Sequence, residues 1–247
     1  MSVSRPETPP RPARARTTGT TTAPECPQLA NVYLHFVLDT WIEHEVRPRL
    51  RGKVFLIRYA DDAVLCFQYR EDAEKVLNVL PKRFAKYGLT LHPEKTRLVA
   101  FGREALASAG RAGTKPDTFD FLGFTHKCAR SRRGWFTVHV KTMKKRLRRS
   151  LKRAAEWCQT HRHHDVDWQQ ATLNAKLRGH YEYYGRPTNY RSLRQFYRGV
   201  QRTWKKWLGR RTRGRTLTWE KYGQLLHRHP LLRPRITRPW AGTVSLT

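Results

Sequence analysis

Two apolar runs, Val54-Phe55-Leu56-Ile57 and Ala63-Val64-Leu65-Cys66-Phe67, stand only a few residues apart, and between them lie the adjacent carboxylates Asp61 and Asp62. Apolar runs this short, rich in β-branched and aromatic residues and closed by polar residues, predict two strands joined by a tight turn. The chain around this point must therefore build a β-hairpin whose flanks are covered and whose tip carries two acids. Asp is common at turns because its side chain satisfies local backbone groups. A second reading of the pair is divalent-metal chemistry, since Mg²⁺ prefers hard carboxylate oxygens.

The hairpin sits in a mixed α/β stretch. Before it, Leu29, Val32, Tyr33, Phe36, Val37 and Trp41 recur at helical spacing and predict a helix over 29–46. After it, Ala73, Val76, Leu77, Leu80, Phe84 and Tyr87 mark one face of a helix, with Pro81 inside the pattern and Gly88 as its C-terminal cap. Short strands are expected around Leu89–Leu91 and Arg97–Phe101, a loop over Ala109–Pro116, and a hairpin made by DFLGF and GWFTVHV across a basic turn. Beyond residue 141 the period changes. Met143, Leu147, Leu151, Ala154 and Cys158 lie three or four apart on an otherwise basic helix, and further helices are expected at 166–184, 190–209 and 217–227. Residues 1–28, rich in Pro, Thr, Ala and Arg without any period, read as a disordered or non-homologous leader.

Charge narrows the partner. The chain carries 50 Lys+Arg against 19 Asp+Glu, a net +31. Residues 1–125 hold 19 basic and 14 acidic side chains, whereas residues 126–247 hold 31 and 5. Self-repulsion on that scale opposes compaction and calls for a polyanion, nucleic acid first and an anionic membrane surface second. Between 141 and 153 the cations Lys141, Lys144, Lys145, Arg148, Arg149 and Lys152 follow one another with no acid among them. Further on, Tyr190 and Tyr197 are flanked by Arg191, Arg194 and Arg198, the composition that stacks bases and holds phosphates. Phe196, Val200, Trp204 and Trp207 follow helical spacing and read as core. Four scattered cysteines, Cys26, Cys66, Cys128 and Cys158, suggest neither a disulfide framework nor a zinc site, so a reducing, cytoplasmic setting is expected. The His161–Asp165 run, HRHHD, reads as a solvated loop.

The residues also carry a resemblance. Tyr59-Ala60-Asp61-Asp62 between apolar strands resembles the Y-x-D-D palm motif of reverse transcriptases. Gly88-Leu89-Thr90-Leu91-His92-Pro93-Glu94-Lys95-Thr96 is similar to the next block of that family, and Phe121-Leu122-Gly123-Phe124 to the one after it. Leu29-Ala30-Asn31-Val32-Tyr33-Leu34 looks like the helix preceding the palm hairpin in group II intron enzymes. LRGHYEYYG, YRGVQRTWKKWLGRR and WEKYGQLLHRHPLLRPRI resemble their maturase-specific domain. The similarity runs from about Gln28 to Ile236.

The resemblance implies an α+β fold: the C-terminal part of a reverse transcriptase palm over 29–140, a thumb helix and connection over 141–165, and an all-helical maturase domain over 166–240. It implies RNA-directed DNA polymerase chemistry with Mg²⁺ on Asp61 and Asp62, Lys95 near the incoming nucleotide, and Phe121–Phe124 as the primer grip. Group II intron RNA is the implied ligand, with a template–primer as a further one. The pattern is broken at one place. The family's third aspartate lies in an earlier F-x-x-x-D strand, and upstream of Asp39 this sequence has only Glu7 and Glu25 as acids. The fingers region and that strand are missing, so the polymerase centre is expected to be incomplete unless a homodimer partner or a complementing N-terminal chain supplies the rest.

Overall fold

The computed structural model describes residues 27–92, 94–211 and 217–239. The expected leader over 1–28 and the end of the expected maturase domain at 240 lie almost entirely or wholly outside the described residues. The chain divides into two compact units, Met1–Thr90 and Leu91–Thr247. The change of period near residue 141 marks where strands give way to helices, while this division marks where packing is interrupted.

In the first unit, helix α1 (Pro27–Leu34) runs on through two π-helical turns, His35–Asp39 and Ile42–Val46, into a 3₁₀ turn at Arg47–Arg49. The widened turns alter which side chains share a face, because each adds a residue to the repeat. Val37, Leu38, Trp41, Ile42 and Val46 are buried, whereas Leu29, Val32, Tyr33 and Phe36 are exposed. The predicted apolar face thus holds only in its C-terminal part. Strands β1 (Val54–Tyr59) and β2 (Asp62–Phe67) pair antiparallel from Val54↔Phe67 to Tyr59↔Asp62. Helix α2 (Arg70–Lys86) buries Ala73, Val76, Leu80 and Phe84 and continues through Pro81. It ends as expected at Gly88 (φ +67), where the Leu89 amide returns to the Phe84 carbonyl at 2.9 Å. Asp72, 1% exposed, accepts from the amides of Arg51 (3.1 Å) and Gly52 (3.0 Å) and so ties α2 to the entry of β1.

The second unit opens with helix α3 (Arg103–Arg111), followed by a three-stranded antiparallel sheet of β3 (Thr118–Phe121), β4 (Phe124–Arg130) and β5 (Phe136–Thr142) in that order. Four helices complete it: α4 (Lys144–Thr160), α5 (Val166–Tyr184), α6 (Tyr190–Leu208) and α7 (Trp219–Arg228). Their shared core includes Leu147, Cys158, Leu173, Leu177, Tyr181, Leu193, Phe196, Val200, Trp204 and Tyr222. Each such side chain stabilises the unit by about 1.5–3 kcal/mol relative to exposure. Trp204 donates its indole N–H to Gln169 at 2.9 Å, and the Gln169 amide donates to the His164 carbonyl at 2.8 Å, so these two buried side chains are paired. Gly199 lets α6 lie against α4, for a Cβ there would come within 2.3 Å of Leu151. The outer edge of β5 is capped by side chains: the Val140 amide donates to Thr188 (2.9 Å) and the Thr142 amide to Asn189 (2.8 Å). This locks the sheet to the start of α6.

Three strand and loop expectations fail. DFLGF spans the β3–β4 turn, and the strand from GWFTVHV pairs with β4 instead of with it. Residues 89–91 and 97–101 form no strand, because a strand persists only where a neighbour completes its ladder and neither unit offers one. The stretch expected as a loop from Ala109 begins inside α3, a short Ala-rich helix with Glu104 in its first turn that periodicity over so few residues does not reveal.

Candidate functional site

The hairpin tip is set by a tight turn. Tyr59 pairs with Asp62, leaving Ala60 and Asp61 as the two-residue loop, and Ala60 adopts φ +53. Asp61 therefore lies in the turn and Asp62 is the first residue of β2, opposite Tyr59. Both are exposed, and neither side chain has a hydrogen-bond or ion-pair partner among the described residues.

What holds the tip is Arg58, the residue before Tyr59. Its guanidinium forks onto Asp39, Nε to Oδ1 at 2.8 Å and Nη2 to Oδ2 at 2.7 Å. Nη1 donates to the Asn31 side-chain oxygen and to the Ala60 carbonyl, both at 3.0 Å. One side chain thus binds α1, the π-helical turn and the turn carbonyl beside Asp61. The two partners are mostly buried, with 14% of the Arg58 side chain and 25% of Asp39 exposed. Burial opposes ionisation of Asp39, but hydrogen bonds from Arg58 and His35 together with their charges prevail and hold its carboxyl below the ordinary range. Sequence reading passed over this clamp. Its only signal is an arginine inside an apolar strand, which must find a partner.

The residues present do not fit a complete two-ion centre. No group of three or more His, Cys, Asp or Glu side chains gathers among the described residues. Asp39, the one aspartate that precedes the hairpin in the sequence, has both oxygens committed to Arg58. Asp61 and Asp62 would give such a centre only two carboxylates, and two ions need further ligands. Lys95 belongs to the second unit, exposed in a short turn where its amide donates to the His92 carbonyl at 3.1 Å.

The second unit gathers the remaining expected residues. Phe121 and Phe124 pair across a turn in which Leu122 (φ +48) and Gly123 (φ +77) are both left-handed, the geometry of a type I′ hairpin. That turn is docked: the Tyr183 hydroxyl donates to the Leu122 carbonyl at 2.9 Å, and the Met143 amide to the Gly123 carbonyl at 3.0 Å. Phe124 is buried and stacks on Tyr183. Lys141 ends β5, and Lys144, Lys145, Arg148, Arg149 and Lys152 occupy the exposed side of α4, opposite buried Leu147, Ala154 and Cys158. Of these only Lys152 has an acidic partner, Glu156 at 3.7 Å. Arg191, Arg194 and Arg198 line the exposed side of α6 beside exposed Tyr190, while Tyr197 is half-buried and its hydroxyl accepts from Gln201. Lys127 above all, then burial, Arg191 and Lys144 push the Lys141 ammonium below its ordinary proton affinity. The cations are thus crowded, not merely numerous.

The HRHHD run is more ordered than a solvated loop. His161 stacks on Trp157 and His164 on Trp168, Asp165 caps α5 by accepting from the Asp167 and Trp168 amides, and Arg211 donates to the carbonyls of Arg162 and His164.

Comparison with known proteins gives one family match. The family model described as reverse transcriptase (RNA-dependent DNA polymerase) matches residues 23–126, a stretch that takes in α1, the Asp61–Asp62 hairpin, Lys95 and the Phe121–Phe124 turn. Over that stretch the chain is similar to a reverse transcriptase domain, and its mixed helices and small sheets are compatible with a palm-like α+β fold. The match ends at residue 126, before the basic helices. No curated protein matches the chain. Among the described residues no helix is long and apolar enough to cross a membrane.

Proposed function

We propose that the chain is a group II intron-type reverse transcriptase and maturase segment that binds intron RNA and assists its splicing. Crowding of Lys141 by Lys127, Arg191 and Lys144, without a neutralising acid, carries the nucleic-acid part of this reading. Phosphates are the counter-charge such a face lacks. The match over 23–126 supports the enzyme class, and the LRGHYEYYG, YRGVQRTWKKWLGRR and WEKYGQLLHRHPLLRPRI segments support the maturase part. Lys95 and the docked Phe121–Phe124 turn fit roles beside a nucleotide and a primer end. Mg²⁺ on Asp61 and Asp62 would need further ligands, from a second copy or from a segment bearing an F-x-x-x-D strand, and polymerisation by this chain alone is not part of the proposal.

Two assays test it. Counterion release predicts that affinity for intron RNA falls steeply with salt, log K dropping by about 0.7–0.9 per phosphate contact for each unit of log salt. A flat response refutes the interface. Primer extension on an RNA template, with and without Asp61→Asn, tests the centre. Extension abolished by that substitution in the isolated chain would show the two carboxylates to be sufficient.

A second reading, a non-catalytic RNA-binding maturase, is favoured by one observation: the Arg58 clamp occupies Asp39, the one aspartate that precedes the hairpin in the sequence. Rescue of intron splicing at low Mg²⁺ without any primer extension, even when a segment bearing an F-x-x-x-D strand is added, distinguishes it.

A further inference from the structure

Trp135 leaves 70% of its surface in water, more than any other large hydrophobic side chain among the described residues. It ends the Arg132-Arg133-Gly134 turn between β4 and β5. Gly134, at φ +81, donates to the Ser131 carbonyl (3.0 Å); the Ser131 amide donates to the Trp135 carbonyl (2.7 Å), and the Trp135 amide to the Ser131 hydroxyl (3.1 Å). This is a three-residue hairpin loop closed by a left-handed glycine and a bulge. The backbone under the indole is fixed, yet the indole packs on nothing that would explain it as core.

The register tells what shares its face. β4 and β5 pair Arg130↔Phe136, Ala129↔Thr137, Lys127↔His139 and Thr125↔Lys141. Side chains alternate along a strand. Phe124 and Cys128 turn to the buried side, and Trp135, His139 and Lys141 share the other side with Lys127. The acid on that side is Asp120, opposite Thr125 and accepting its hydroxyl at 2.5 Å. From Trp135 to Lys141 the strand covers about 20 Å at roughly 3.3 Å per residue. That is the length of about six stacked nucleotides at roughly 3.4 Å each.

We propose that the β4–β5 hairpin is an arm for single-stranded nucleic acid, in which the Trp135 indole stacks on an unpaired base, Arg132 and Arg133 hold phosphates at the tip, and Lys127 and Lys141 carry the strand along the sheet. The assignment rests on the nucleic-acid reading above and extends that surface from Lys141, beside Lys144 of α4 and Arg191 of α6, along the sheet to the β4–β5 tip. Paired bases within a duplex offer no free face to an indole, which selects a single strand. A membrane-inserting tip would present several exposed apolar side chains, and this one presents a single exposed aromatic beside Arg132 and Arg133.

The test uses the whole chain and a fluorescently labelled oligouridine of roughly twelve nucleotides, within the site sizes of single-strand binders, read by anisotropy. Trp135→Ala weakens binding about tenfold, as expected for loss of one stacked base, and Trp135→Phe retains most of the affinity. The double variant Arg132→Gln/Arg133→Gln lowers the salt slope by about 1.4, two single-strand phosphate contacts. On an oligomer of abasic residues the wild type and Trp135→Ala bind equally. Equal binding of the intact oligomer by wild type and Trp135→Ala overturns the arm while leaving the α4–α6 interface standing. An undiminished loss on the abasic strand overturns base stacking. Binding of anionic vesicles without any binding of nucleic acid overturns both this proposal and the reading beneath it. Unchanged melting of the variants, expected at so exposed a turn, separates these outcomes from misfolding.

Discussion

Arg58→Gln isolates the clamp that fixes the carboxylate tip. The substitution removes the forked pair with Asp39 and leaves Asn31 and the Ala60 carbonyl without their common donor. Breaking a buried ion pair from one side costs about 3–5 kcal/mol because the remaining charge stays unpaired. Asp39 keeps a quarter of its side chain in water, so part of that cost is recovered by hydration and about 2–3 kcal/mol remains. The expected consequence is local. Amide hydrogen exchange in β1 and β2, at Leu56, Ile57, Val64 and Leu65, should accelerate about 30- to 150-fold, at roughly 1.4 kcal/mol per factor of ten. The sign with pH follows from the lowered Asp39 carboxyl. Its contribution is present above the ordinary carboxylate range and is lost as pH falls through the lowered value. The difference between wild type and variant should accordingly shrink under acid. Exchange unchanged at neutral pH, or a difference that persists when Asp39 is protonated, would refute the clamp.

Three further outcomes are expected. Gly199→Leu should destabilise the second unit by about 1–3 kcal/mol, read by urea unfolding, since even its Cβ meets Leu151 at 2.3 Å. His180, buried and stacked on Phe196, has its proton affinity pushed down by burial to about 4. Its unfolded form takes up a proton at higher pH, so stability should fall as pH drops from about 6.5 toward 4, and His180→Leu should flatten that slope. Chelation by EDTA should leave the melting of the chain unchanged, because the tip is held by Arg58 and not by an ion; a melting point lowered by the chelator would require a metal-stabilised tip.

Legibility followed the range of the interactions involved. Helices α2, α4, α5 and α6 were plain in the sequence because each buries one continuous stripe, as Leu147, Ala154 and Cys158 show on α4. The hairpin was plain because apolar runs flank its tip. The π-helical turns after α1 were not, since the repeat they break is the signal itself, and Leu29, Val32 and Phe36 emerge exposed. Strands at 89–91 and 97–101 were over-read because strand propensity says nothing about whether a neighbour exists. In the site, the residue types were legible and their partners were not. Nothing near Arg58 in sequence announces Asp39, and nothing near Lys141 announces Arg191, until Thr188 and Asn189 fasten β5 to the start of α6.

The clamp also bears on why two carboxylates can stand free at a hairpin tip. Two like charges about 4 Å apart in water repel by only about 1 kcal/mol, so exposed Asp61 and Asp62 need no cation to persist. Burial would raise that repulsion several-fold and demand one. Arg58 spends its charge on Asp39, not on the tip: it grips the Ala60 carbonyl beside Asp61 while leaving both tip carboxylates unpaired. Had the guanidinium reached Asp61 instead, it would have competed directly with any metal. Position is thus supplied by the protein and charge is left uncompensated. That combination suits a site whose remaining ligands and counter-charge arrive with another strand or with the nucleic acid itself.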